Sequence, residues 1–403
     1  MGLLLVSLAA LAARKLAVRS TFFDPFKSLG FFKLHYMIAG LALTLFFPED
    51  FLLIFEPVRV TVITFGLCWI GFYYGCGLEL RAHQRFASHI VILNIIEPVI
   101  VFIFLSFGSI IFFYYRFGDW QHSETALMIG LFSSFTIFRR RGILYRQSQS
   151  AHHPVLDNLL PIGNIFPVAA LAVMSKLLFE IPEITLFQQT FNDTFSFILI
   201  QVVTGILGGM LINMLVSGAE KPSMIILVMV GCTAIIGGIV TTLSLSPLFV
   251  GMLTGAFLIN STLKRLLTLE VLNSSHDYME KVFMFCLGTM LPPLLFAMRS
   301  RVMFILLSAI GLFVVRATVK YFLSTVWISR VSGESENSKA LWIGLTGQGI
   351  LASGAVVECS LPIDKFAQVF LLFITLLVIN QIAIGLYVWM GERNRRSEGA
   401  SDA

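Results

Sequence analysis

Charge is what this 403-residue chain has least of: 13% of its residues are Asp, Glu, Lys or Arg, against about 25% in a typical soluble domain. Polar stretches long enough to make a water-soluble domain are missing as well, so the chain reads as one membrane domain, residues 1–392, with a short tail at 393–403. Cysteine is sparse. The five (Cys68, Cys76, Cys232, Cys286 and Cys359) are scattered through or beside apolar runs. No pair has metal-ligand spacing, which argues against a zinc or redox motif and predicts free, buried thiols. There is no phosphate-cradling glycine loop and no nucleophile–base pair. His83, His89, His152 and His153 lie at or beside loops without metal-like partners. The chain therefore reads as no enzyme and as needing no cofactor. Its net charge of +5 comes from cations in short loops between apolar runs, which mark membrane topology and not a nucleic-acid partner.

Long apolar runs are abundant. Hydrophobic residues make up 57% of the chain, and a crossing needs about 20 of them in a row, or a few fewer where flanking cations snorkel. Thirteen candidate spans follow: Gly2–Val18, Leu34–Phe47, Phe51–Leu78, His89–Tyr115, Ala126–Phe138, Val155–Phe179, Phe195–Val216, Ser223–Val240, Leu245–Ile259, Val282–Met298, Val302–Ile328, Ala340–Ser360 and Phe366–Met390. In the first, the cations Arg14, Lys15 and Arg19 follow the apolar stretch. A cleaved secretory signal has them before it, so this segment is expected to stay as a span. With the N-terminus outside, 20 of the 28 Lys and Arg residues fall in inner loops, 6 on the outer side and 2 inside a span. That bias predicts an inner (plasma) membrane protein with its C-terminus in the cytoplasm.

Ionisable residues inside spans are costly and mark function by default. Arg316 and Lys320 lie in the eleventh span, four residues apart and so on one helix face. Near midspan they call for an acid, backbone carbonyls or a water-filled cavity. A plainer reading has Lys320 snorkelling to the interface and Arg316 stapling two helices. Glu97 lies in the fourth span, next to Pro98, where a lost backbone hydrogen bond predicts a kink. It is placed to line an aqueous path or to pair with Arg316, or else to serve as a structural ion pair.

The fifth span carries Ser133, Ser134 and Thr136. The twelfth carries Gly344, Gly347, Gln348 and Gly349. This density of glycine and hydroxyl residues favours interrupted helices, which are tolerated at membrane depth only where protein or a cavity covers them. Interrupted spans in corresponding positions point to a transport site, whereas close packing through small residues is the alternative. The sixth span has Asp157 near its inner end and Gly163-Asn164 between Pro161 and Pro167. Asn164 can coordinate a cation or bond a neighbour, but it cannot exchange a proton.

Taken in order, these residues resemble the monovalent cation:proton antiporter superfamily, which includes the Kef-type potassium efflux systems and the sodium/proton exchangers. The resemblance rests on Gly71-Phe72-Tyr73-Tyr74-Gly75-Cys76-Gly77-Leu78-Glu79, Ser134 with Thr136, Ser246-Pro247-Leu248 with Gly251, Gly255 and Asn260, and Leu291-Pro292-Pro293-Leu294-Leu295-Phe296. Arg316 with Lys320, and Gly344 with Gln348 and Gly349, complete it. It implies an all-α, inverted-repeat fold with two broken, crossed helices. It also implies a homodimer and exchange of one small cation (sodium or potassium) against protons by alternating access. The family's ion- and proton-binding aspartate in span six falls at Gly163-Asn164 here, so the pair reads Gly-Asn instead of Asn-Asp or Asp-Asp.

On the transport reading, Asn164, Gly163, Ser134, Thr136 and Asp157 hold the ion beside the broken helix at Gly347, Gln348 and Gly349. Glu97, Arg316 and Lys320 then carry or balance the proton. The other expectation is a homologue that keeps the fold without the exchange, as a scaffold, sensor or membrane subunit with partner proteins. A nucleotide-binding domain, common after the membrane part of Kef-type relatives, is not expected beyond Arg396.

Overall fold

In a computed structural model the chain is described over residues 33–46, 49–80, 88–117, 123–136, 162–178, 184–186, 189–191, 193–297, 301–331, 348–360 and 368–383. Twelve helices occupy these residues: α1 Leu34–Phe46, α2 Glu49–Cys76, α3 Ser88–Phe117, α4 Ser123–Ser134, α5 Ile165–Leu178, α6 Thr194–Gly218, α7 Pro222–Thr242, α8 Pro247–Ser261, α9 Arg265–Ala297, α10 Val302–Val331, α11 Ile350–Ser360 and α12 Gln368–Ala383. Each falls on a different one of the apolar segments read from the sequence. The segment Gly2–Val18 lies outside the described residues. Five helices (α2, α3, α6, α7 and α10) are long and apolar enough to cross a membrane, and the chain is a helical membrane protein. One departure from pure helix occurs between α5 and α6, where β1 (Ile184–Leu186) and β2 (Gln189–Phe191) pair antiparallel. All five cysteines are free and buried.

Lipid-facing surface and packed interior separate cleanly on α10. Met303, Phe304, Leu307, Val314, Tyr321 and Phe322 are exposed, while Arg316 and Lys320, on the opposite face, are both 0% accessible. Neither cation snorkels. α3 runs as a helix straight through Pro98.

Glycine sets the closest helix contacts. Gly71 and Gly75 on α2 face Gly251 and Gly255 on α8, each pair four residues apart in a small-xxx-small pattern. A Cβ at these positions would lie 2.2, 2.0, 2.2 and 2.1 Å from the carbonyl oxygens of Leu248, Met252, Cys68 and Phe72, respectively. Backbone meets backbone with no side chain that could yield. Gly40 on α1 and Gly288 on α9 repeat the arrangement against Phe285 and Met37. Gly255→Val is therefore expected to force α2 and α8 apart and cost about 3 kcal/mol, read as a lower melting temperature in detergent micelles. Gly238→Val, where an added Cβ meets nothing within 4 Å, is the matched control.

Helix α9 begins at Arg265, well before the apolar segment read from Val282. Its first turns stay helical on polar contacts. Asp277 pairs with Lys281 one turn on, and Lys33 reaches both Asp277, at 2.7 Å, and Glu280. Burial would push the Asp277 carboxyl up, but Lys281 and Lys33 beside it outweigh that and hold it at about 2. Arg265 bridges to Glu79 at 2.7 Å, and Asn260 clasps the backbone of Leu78 and Leu80 at 2.9 Å. Each of these contacts joins segments that the loop-charge count puts on one side of the membrane.

Candidate functional site

The site is built on an exposed helix end. An α-helix leaves its last four carbonyls without partners inside the helix, and inside a bilayer water cannot supply them. Helix α4 stops at Ser134, and Phe135 and Thr136 continue as non-helical backbone, all buried. Its terminal carbonyls are met by α4 itself, by the segment before α11 and by α10. Ser134 Oγ donates back to Leu131 O at 2.6 Å. Gln348 Nε2, just before α11, donates to Phe132 O at 2.9 Å. From α10, Arg316 Nε donates to Ser133 O and Nη2 to Phe135 O, both at 2.9 Å. The guanidinium thus caps the negative end of the α4 dipole, and its planar fork spans two carbonyls at once.

Asn164 completes the enclosure. Residues 162–163 are helical, Asn164 is a turn, and α5 resumes at Ile165. Its side-chain amide pairs with the backbone of Thr136: Oδ1 accepts from Thr136 N at 3.0 Å and from Thr136 Oγ1 at 3.4 Å, while Nδ2 donates to Thr136 O at 3.3 Å. A neutral amide offers the donor and acceptor that unwound backbone needs; a carboxylate offers acceptors alone. Gly163 allows the approach to α3, since a Cβ there would sit 3.3 Å from Asn94 O. The start of α11 is pinned from α12, where Gln381 Nε2 donates to Gln348 O at 2.6 Å.

One turn along α10 from Arg316, Lys320 Nζ lies 3.2 Å from Glu97 Oε1 on α3. Both side chains are buried, at 0% and 5% accessible, yet neither of those two atoms makes a well-directed hydrogen bond. The ion pair of Glu97 is with Lys320; the Glu97–Arg316 pairing open from the sequence is replaced by the capping of α4. Among the described residues the cluster holds two cations and one acid.

Of the residues predicted for the site, Ser134, Thr136, Gly163, Asn164, Gln348, Arg316, Lys320 and Glu97 come together around the end of α4. Gly349 joins them beside Gln348, where its carbonyl accepts from Ala352 N at 3.1 Å. Asp157 and Gly347 lie outside the described residues. Gln381 and Glu358 are among the buried polar side chains that escaped the sequence reading. Gln381 sits in the last apolar run. Glu358 stands near the end of α11, where an acid reads as interfacial, yet it is 8% accessible. The available signal was its place between Val357 and Cys359 in an otherwise apolar helix. No family model matches the chain, and no curated protein matches it.

Proposed function

We propose that the chain is a secondary transporter of the cation:proton antiporter kind, and that Glu97 and Lys320 form its exchange switch. The observation behind this reading is a buried, incompletely bonded ion pair beside the enclosed end of an interrupted helix. Glu97 is the acid of the cluster. A small monovalent cation reaching it takes the place of the Lys320 ammonium, and Lys320 then releases its proton. The pair keeps its total charge: one cation arrives on Glu97 as one proton leaves Lys320. Reversal on the other face, by alternating access, reloads Lys320 with a proton and frees the cation. Arg316 stays on the α4 carbonyls and anchors the frame. A plasma-membrane location with the N-terminus outside, and a homodimer, belong to the same reading.

Proteoliposomes carrying an internal pH dye test it. Sodium, potassium or lithium pulses are expected to give an ion-dependent response in wild type and none in the Glu97→Gln/Lys320→Met double variant, whose site carries no unpaired charge from that pair. An equal response in both would refute the switch.

One observation favours the second reading, a homologue that keeps the fold without exchange. The carbonyls and the amide that would hold an ion are already taken up by Arg316, Gln348 and Thr136. On that reading wild type is silent and Asn164→Asp gains exchange.

A further inference from the structure

Away from the Glu97–Lys320 pair, a second buried acid has no cation beside it among the described residues. Glu358, on α11, meets the N-terminus of α8. Leu248 N donates to its Oε2 at 3.2 Å, and the Ser246 hydroxyl lies beside the same carboxyl. Ser246 is the N-cap of α8, its Oγ accepting from Phe249 N at 3.2 Å, and its own backbone N donates to Gln201 Oε1 on α6 at 3.2 Å. Gln201 is 0% and Ser246 2% accessible. Among the described residues no Lys or Arg lies within ion-pair distance of Glu358. The titratable neighbours are thiols, Cys68 on α2 and the adjacent Cys359. Glu358 Oε1 has no hydrogen-bond partner.

A buried carboxylate without a counter-charge is far costlier than the same group in neutral form. The groups around Glu358 also say which ligand neutralises it. A metal cation asks for several oxygen ligands, whereas Leu248 N–H approaches as a donor. It satisfies Oε2 and leaves Oε1 for a hydrogen. We infer that Glu358 is a second proton-binding site, with Oε1 carrying the proton and Oε2 held on the first turn of α8. When the proton leaves, the anion remains on that helix N-terminus, where the dipole favours it. Gln348 and Gly349 lead directly into α11, so the proton rides on the helix that continues from the segment closing the α4 end. In transport, which rests on the reading above, this is a proton-carrying group separate from Lys320.

The binding itself is tested without transport. Infrared spectra of the purified full-length protein in detergent, wild type minus Glu358→Gln at neutral pH, are expected to show the C=O stretch of one protonated carboxyl. That band is lost on raising the pH and retained in Glu97→Gln. Glu358→Asp, which moves the carboxyl but keeps it, is expected to shift the band, and it carries the same test if Glu358→Gln does not accumulate in the membrane. Absence of the band, or an unshifted band in Glu358→Asp, would overturn the assignment. Loss of the band on adding sodium or potassium at fixed pH would overturn it in favour of a cation site. A positive infrared result with silent proteoliposomes would leave the proton site standing and remove the transport reading.

Discussion

Arg316→Ala is expected to be among the most damaging single substitutions in the membrane domain, lowering stability by about 3 kcal/mol or more. The loss is that of two buried acceptors. Ser133 O and Phe135 O each receive one guanidinium hydrogen at 2.9 Å, and an unsatisfied buried carbonyl costs about 1–3 kcal/mol. No water replaces the guanidinium in a site that is closed by Gln348 and Asn164. The favourable charge at the C-terminal end of α4 disappears with it. Arg316→Lys is expected to recover only part of the loss. An ammonium is a point donor on a flexible stem and does not reproduce a planar fork fitted to two carbonyls. Melting in detergent micelles, followed by size-exclusion chromatography, checks both variants. Wild-type melting in Arg316→Ala would show that the α4 end does not depend on this cap.

Glu97→Gln is expected to come next, and its effect should depend on Lys320. Removing the acid leaves Lys320 buried, unpaired and one helical turn from Arg316; breaking a buried pair in this way costs about 3–5 kcal/mol. Lys320→Met should cost less, because the Glu97 carboxylate it leaves still has the Arg316 guanidinium nearby to offset its charge. Glu97→Gln/Lys320→Met is expected to melt close to wild type, since nothing charged is then stranded. The double-mutant cycle should return a coupling of about 3–5 kcal/mol or more. Additive losses would mean that the 3.2 Å contact between Lys320 and Glu97 contributes no pairing energy.

The glycines show how a motif in sequence acquires its physical cause in structure. In the sequence, Gly71, Gly75, Gly251 and Gly255 stand out as spaced small residues in two distant segments. In three dimensions they are one contact, in which four missing side chains let two backbones approach to van der Waals distance. Gly163-Asn164 behaves similarly. Its proline-flanked position predicts an irregular helix, and the irregularity is a single turn at Asn164 that lets the amide reach Thr136. The expectation for Lys320 was open between snorkelling and pairing, and packing decided it. α10 exposes its apolar face and turns both cations inward, where α3 supplies the one acid and α4 the carbonyls.

The class of molecule and the apolar segments on which its helices fall were legible in the sequence. Run length, loop charge and a low charge content are local properties, and a bilayer reads them locally because a helix satisfies its own backbone bonds in lipid. The same locality placed the interruptions near Ser134, Asn164 and Gln348. Only the tertiary structure decided who pairs with whom. Arg316 caps carbonyls 181 and 183 residues away, and Glu358 docks on a helix N-terminus 110 residues away. Those choices follow from which helices are neighbours and how each is rotated about its axis. Both are set by glycine contacts and buried polar partners summed over the whole bundle, and no segment of the chain encodes them alone.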